Sequence, residues 1–307
     1  MRNKFSGVIT ALVTPFKKGE IDWASLERLI KAQLAAGIEG FVVCGTTAES
    51  PTLTESEKSE LLKFVLKYVR HHAGANFPVI MGTGSNSTAE TVLATQKAEA
   101  LGADAALVVV PYYNRPPQRG LFQHFQKVAG CSKLPIILYN VPSRTIARLE
   151  LDTIVELSRL PQIIGIKEAS GDVSFGSQLV SECDPGFFVT SGDDGSFFDL
   201  TVVGGEGVIS VGSHILPGAF VKWHRHGQSL RQRIEENRSA DLAALEEFRA
   251  VQELISFLFV EANPIVIKMA LFHMGLIDSP ELRLPLVQLT EPLSYELKNK
   301  MKTAGLL

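Results

Sequence analysis

The sequence predicts an α/β protein, a (β/α)8 TIM barrel with a C-terminal helical extension. Three observations lead to this. Eight short apolar runs recur along the first part of the 307-residue chain, each bounded by turn residues. Segments with helical period lie between most of them. The runs are dense in Val, Ile and Leu without strict polar alternation, as strands of a parallel sheet covered on both faces are. Eight strand–helix units over roughly 220 residues suit a closed barrel of about 250 residues. An open doubly wound sheet is the alternative, but it more often has roughly five to seven strands.

The first run, "GVITALVTP" (7–15), follows the basic start "MRNKF" and loosely imitates a signal peptide. It lacks a small-residue cleavage site and stops at Thr14-Pro15, so it reads as the first strand. A helix is expected from Ala24 to Ala36, apolar at Leu26, Leu29, Ile30 and Leu34 and closed by Gly37. After the second run, "GFVVCGTT" (40–47), Thr54 with Glu57 three residues on has the pattern of a capping box before "LLKFVLKYV". The remaining runs are "FPVIMGTG", "AALVVVPYY", "LPIILYNVP", "IIGIKEAS", "GFFVTSGDD" and "GVISVGS". Beyond about residue 222 the strand signal stops and helical pattern takes over in "ADLAALEEFRAVQELISFLFVE", "PIVIKMALFHMG" and "EPLSYELKNKMKTAGLL". The expected division is a barrel over 1–222 and a helical extension over 223–307, packed on the barrel.

Composition is that of a globular protein, with 45% hydrophobic and 21% charged residues. A net charge of -3 and the lack of a basic stripe give no reason to expect a nucleic-acid partner. Cys44, Cys131 and Cys183 are far apart and odd in number, which argues against a disulfide framework or zinc site and fits a reducing compartment. Cys44 reads as a packed core thiol. No stretch is long and apolar enough to span a bilayer, so a cytoplasmic protein is expected. Metal and nucleotide signals are weak. "GTGSNS" (82–87) lacks the third glycine of a dinucleotide loop, "HRH" (224–226) reads as a solvated helix face, and Asp193-Asp194 reads as a turn that caps the next helix.

In a barrel the C-terminal strand ends build the active site. The polar residues collect there: Gly45-Thr46-Thr47 after the second run, Tyr112-Tyr113-Asn114 after the fourth, and Tyr139-Asn140 on the fifth. Lys167-Glu168 follows on the sixth, Ser191 to Asp194 on the seventh and Ser210 to His214 on the eighth. The set suits amine catalysis. A lysine in apolar surroundings is partly neutral and nucleophilic at neutral pH, and attack on a ketone gives an iminium that acidifies the adjacent carbon. Tyrosine and threonine hydroxyls can shuttle the protons, and the Gly45-Thr46-Thr47 turn offers an anion cradle. Each residue alone has a plainer reading. Lys167 pairs with Glu168 or another carboxylate, Tyr139 is a core-edge tyrosine, and Thr46 and Thr47 are helix caps.

These same stretches, "GTTAES", "VVPYYNRP", "LYNVPSRT", "IIGIKEASGD", "SGDDG", "GVISV" and "FVEANPI", resemble the dihydrodipicolinate synthase / N-acetylneuraminate lyase family of class I aldolases over essentially the whole chain. The resemblance implies that Lys167 forms a Schiff base with pyruvate. It makes Tyr139 the central proton shuttle, linked through Thr46 to Tyr113, with Tyr113 supplied across a dimer interface. Thr46 and Thr47 would hold the pyruvate carboxylate, and the backbone at Gly192 and Ile209 would shape the site. Arg144 matches the arginine with which the family's synthases receive the carboxylate of aspartate β-semialdehyde, and which its sugar-acid lyases generally lack. No metal or organic cofactor is implied. A homo-oligomer is, with a tetramer built as a dimer of dimers the family's suggestion.

Two departures stand out. Ala48 occupies a position where the family usually has glycine, so a left-handed backbone there would cost modest strain. The lysine-feedback site would use Asn86, Glu90 and Tyr112, but Glu55 and Lys58 stand where strongly inhibited members carry histidines. A cationic ligand is disfavoured beside Lys58, so weak or absent inhibition by lysine is expected. The rival readings are a lyase of sialic or keto-deoxy sugar acids, against which Arg144 argues, and a non-catalytic keto-acid sensor, which has no need of a proton relay.

Overall fold

The computed structural model describes residues 4–236 and 242–307. Eight parallel strands close into a barrel: β1 (Gly7–Ala11), β2 (Gly40–Val43), β3 (Val79–Gly82), β4 (Ala105–Val109), β5 (Ile136–Asn140), β6 (Ile163–Glu168), β7 (Phe188–Ser191) and β8 (Gly207–Ser210). Each strand pairs with its neighbours in sequence, and β1 closes on β8 through the register Gly7↔Gly207 to Thr10↔Ser210. A two-stranded hairpin (Phe16–Lys17 with Glu20–Ile21) lies outside the barrel.

Helices follow the strands: α1 (Trp23–Ala35), α2 (Glu55–His72), α3 (Thr88–Leu101), α4 (Gln118–Ala129), α5 (Leu151–Ser158), α6 (Val173–Glu182), α7 (Phe197–Val202) and α8 (Pro217–Glu235). The Thr54–Glu57 capping box is present at the start of α2. α1 buries the expected face through Leu26, Leu29 and Ile30. The extension adds α9 (Ala243–Ala250), α10 (Gln252–Phe257), α11 (Ile265–His273) and α12 (Glu291–Thr303). Ala240 and Asp241, which open the first helical segment expected there, lie outside the described residues. The division expected at residue 222 falls inside α8, because the eighth barrel helix runs on to Glu235.

Two apolar clusters carry the fold. The larger lies between the strands and the helices. The smaller fills the barrel and includes Ile9, Val42, Ile80, Leu107, Ile137, Tyr139, Phe188 and Ile209. Side chains on alternate strand positions share one face, which puts Gly165 and Lys167 of β6 on the inner side. Gly165 is there because a Cβ would sit 2.6 Å from the Phe188 ring. Phe188 thus fills the barrel below Lys167 and leaves the space above it open.

Cys44 is a buried thiol pushed up to about 12 by desolvation, in keeping with a core role. One further expectation is corrected. His224 is fully buried on α8, not part of a solvated face, because it falls on the same helical stripe as Phe220 and Trp223. Among the described residues no group of His, Cys, Asp and Glu could hold a metal, and no helix is long and apolar enough to cross a membrane.

Candidate active site

A cavity of about 460 Å³ opens at the C-terminal end of the barrel. Its wall includes Thr46, Thr47, Tyr139, Arg144, Lys167 and Gly192, which are six of the eight residues assigned to catalysis or substrate from the sequence. Lys167 and Tyr139 are direct register partners on β6 and β5. Their side chains rise together, and the Lys167 amine lies 4.4 Å from the centre of the Tyr139 ring. Lys167 is only 6% exposed, and among the described residues no carboxylate pairs with it.

Glu168, the next residue along β6, faces neither water nor Lys167. It is 3% exposed, accepting from Asn140 Nδ2 (2.7 Å) and from the Ser170 backbone N–H (2.7 Å). Desolvation, only partly offset by those bonds, raises its carboxyl above the usual range. Side chains on a strand alternate, so Glu168 points out of the barrel into the layer beneath the helices, where it braces β6 against β5. This also removes the pairing of Lys167 with its neighbour.

Thr46 and Thr47 sit in a 3-10 turn, Thr46–Ala48, directly after β2. Ala48 itself takes no left-handed backbone. The positive φ falls one residue later, at Glu49 (57°), and also at Cys44 (55°). The condition under which Ala48 would be strained is therefore not met. At Glu49 it costs a residue with a Cβ about 1–2 kcal/mol. Among the described residues no hydrogen bond joins the Tyr139 and Thr46 hydroxyls.

Gly192, after β7, leaves room for the nucleophile. A Cβ there would lie 2.6 Å from Lys167 Cε and 2.9 Å from its Cγ. Asp193 accepts from the backbone N–H (2.9 Å) and hydroxyl (2.6 Å) of Ser196 in the turn before α7, close to the capping role expected. Asp194 is buried and accepts from the backbone N–H groups of Val211 (3.0 Å) and Gly212 (2.6 Å), and burial pushes its carboxyl up to about 6. It ties the ends of β7 and β8 together.

Two residues do not reach the cavity. Ile209 is buried in the barrel interior, and Tyr113, 86% exposed with φ 73°, projects outward. The residues expected to form a lysine site lie near the surface. Tyr112 is 38% exposed, Ser85 Oγ donates to Glu90 (2.8 Å), and Asn114 Nδ2 donates to the Asn86 carbonyl (2.8 Å). Lys58 pairs with Glu55 (2.9 Å), and Lys97 approaches the same carboxylate (3.4 Å). The hydrogen bond from Lys58 holds the Glu55 carboxyl below its ordinary value.

Three residues were given no role from the sequence, although two of them, Glu49 and Asn263, lie in stretches that carry the resemblance. Asn263, in "FVEANPI", lines the cavity and donates through Nδ2 to Thr47 Oγ1 (2.9 Å), while its carbonyl accepts from Arg144 Nη2 (3.4 Å). Glu49 and Lys268 form an ion pair at 2.6 Å with both side chains fully buried. Desolvation pushes the Lys268 amine down to about 8 against the opposing pull of Glu49.

Residues 4–304 match the model of the dihydrodipicolinate synthetase family. A 4-hydroxy-tetrahydrodipicolinate synthase of Bdellovibrio bacteriovorus is 50% identical over 307 residues, covering 100% of both chains. A solved dihydrodipicolinate synthase of Acinetobacter baumannii, complexed with pyruvate, is 40% identical with a TM-score of 0.91, covering 98% of this chain and 99% of that one. A solved monomeric dihydrodipicolinate synthase variant aligns with a TM-score of 0.91 at 40% identity, over 99% of this chain and 98% of that one.

Proposed function

The chain belongs to the dihydrodipicolinate synthetase family, and on that premise we propose that it condenses pyruvate with L-aspartate β-semialdehyde to 4-hydroxy-tetrahydrodipicolinate, a step of lysine and diaminopimelate biosynthesis. The observation that carries this reading is the placement of Lys167. Among the described residues no carboxylate pairs with its buried amine, which opens into a cavity that also presents Tyr139, Thr46, Thr47 and Arg144.

Pyruvate enters with its carboxylate towards the Thr46–Thr47 turn, where hydroxyls and backbone N–H groups at a turn suit an anion. The Lys167 amine attacks the keto carbon, and the carbinolamine loses water to form the iminium. Tyr139 is positioned by strand register beside the amine and moves the protons for dehydration and for conversion to the enamine. The enamine carbon attacks the aldehyde of the second substrate, whose carboxylate the Arg144 guanidinium receives in its planar fork. The substrate's own amine then displaces Lys167 at the imine carbon, which closes the ring and returns the free lysine. No cofactor is needed, since the iminium itself is the electron sink.

Tyr113 stands outside the cavity and largely exposed, which suits a residue donated to a neighbouring subunit's relay. The working unit is accordingly at least a dimer, with a dimer of dimers as the family's arrangement, and the compartment is the cytoplasm. Gly192 completes the site's wall, with Ile209 packed beneath it in the barrel interior.

Turnover of pyruvate with aspartate β-semialdehyde, measured beside cleavage of N-acetylneuraminate, tests the proposal. Condensation with the semialdehyde and no cleavage of the sugar acid is the expected outcome. Sugar-acid cleavage without condensation contradicts it.

A further inference from the structure

The buried ion pair between Glu49 and Lys268 lies away from the cavity wall, yet it is bonded to the turn that the proposed mechanism uses for pyruvate. Glu49 is the left-handed residue that ends the Thr46–Ala48 turn, and its backbone N–H donates back to the Thr46 carbonyl (3.0 Å). Its carboxylate is held from two sides. Lys268 Nζ donates to Oε1 (2.6 Å), and the Arg283 backbone N–H donates to Oε2 (2.9 Å). Lys268 in turn donates to the Glu281 carbonyl (2.6 Å) and sits over the Phe16 ring, 4.3 Å from its centre.

Lys268 belongs to α11 of the helical extension, and its backbone N–H bonds to the Pro264 carbonyl (3.0 Å). Asn263, the residue before Pro264, bonds to Thr47. A single segment, 263–268, therefore grips the turn at both ends, at Thr47 through an amide and at Glu49 through an ion pair. Two charged groups would not be buried in an apolar core for their own sake, because apolar residues of like volume often serve stability as well or better.

We propose that Glu49 and Lys268 are positioning residues for pyruvate: the pair locks the left-handed end of the Thr46–Ala48 turn and so makes the helical extension a determinant of pyruvate affinity. The proposal rests on the reading of Thr46 and Thr47 as the carboxylate cradle. Removing one partner strands a buried charge and endangers folding, whereas removing both charges together leaves none behind.

The test is accordingly the double variant E49Q/K268M, with T47V in parallel, each assayed for pyruvate KM, kcat and thermal unfolding. A rise of about tenfold in pyruvate KM, with kcat within about threefold of the parent and a cooperative unfolding transition, is expected of the double variant, as loss of ground-state binding requires. T47V should raise pyruvate KM as well. If T47V raises KM and the double variant stays within about twofold of the parent, the positioning role is overturned while the cradle stands. If T47V leaves KM unchanged, the cradle itself fails and the proposal falls with it. Should the double variant not fold, E49D, which keeps the charge pair but draws the carboxylate back by one methylene, is read instead, and an unchanged KM there also overturns the proposal.

Discussion

Gly192→Ala adds a single methyl group beside the nucleophile. The new Cβ would lie 2.6 Å from Lys167 Cε, 2.9 Å from Lys167 Cγ and 2.6 Å from Ala169 Cβ. Carbon atoms in contact sit about 3.5–4.0 Å apart, so close to 1 Å of movement is needed. The Ala169 and Gly192 backbones are held, since the Ala169 N–H donates to the Asn140 carbonyl (2.9 Å) and the Gly192 N–H to the Glu168 carbonyl (2.6 Å). The Lys167 side chain is the part that gives. Displacing a reacting group by about 1 Å costs on the order of 100-fold in rate, equivalent to about 2.7 kcal/mol of barrier. Overpacking adds a loss of about 1–3 kcal/mol in stability. The assay is kcat/KM for pyruvate with the semialdehyde saturating, alongside the rate at which borohydride traps the pyruvate adduct. Both should fall about 100-fold in a folded enzyme. A variant within about threefold of the parent in both would refute the claim that Gly192 is there to clear the path of Lys167.

Three further outcomes follow from the same geometry. Arg144→Ala should leave the pyruvate adduct on Lys167 intact but lower kcat/KM for the semialdehyde by about 10- to 100-fold, the worth of a charge-assisted bidentate contact; equal loss in both would contradict the assigned role. His214 is buried with Nε2 accepting from the Val13 N–H (3.2 Å) and Nδ1 on the Val211 carbonyl (2.8 Å), and burial lowers it to about 4. Its folded value lies below the unfolded one, so its contribution is complete above about pH 6.5 and is lost as pH falls through about 4, by about 3 kcal/mol in all. Urea unfolding of His214→Gln across that range should show a shallower acid loss than the parent, and identical slopes would refute it. Weak or absent feedback is expected of lysine, and half-inhibition by submillimolar lysine in a steady-state assay would overturn that.

The barrel was legible because eight Val- and Ile-rich runs alternate with amphipathic segments, and closure is the arrangement that covers every strand edge. That Lys167 and Tyr139 share one barrel mouth was legible once the strand ends were aligned, because polar residues interrupt apolar strands only there; their direct register pairing was not. Glu168 shows where local reading fails: the sixth strand's alternation sends Lys167 into the cavity and its neighbour into the helix-covered layer, so two adjacent charges meet opposite surroundings. The boundary drawn at 222 falls inside the eighth barrel helix, since helix follows helix there and nothing local in the sequence separates them. Asn263, Glu49 and Lys268 were given no role because what they do depends on contacts between positions more than 200 residues apart. An asparagine and a lysine in a helical segment look like surface residues until the fold buries them. Tyr113 was picked out at a strand end, but its role across an interface came from the resemblance alone, and the single chain shows only that it is exposed.

The account stands on Lys167 as the amine that bonds to pyruvate. Incubation with pyruvate, reduction with borohydride and mapping of the modified peptide by mass spectrometry test that directly. A single pyruvate-derived mass on Lys167, absent from Lys167→Ala, is the predicted result. An unmodified Lys167, or a stoichiometric adduct on any other lysine, would contradict it.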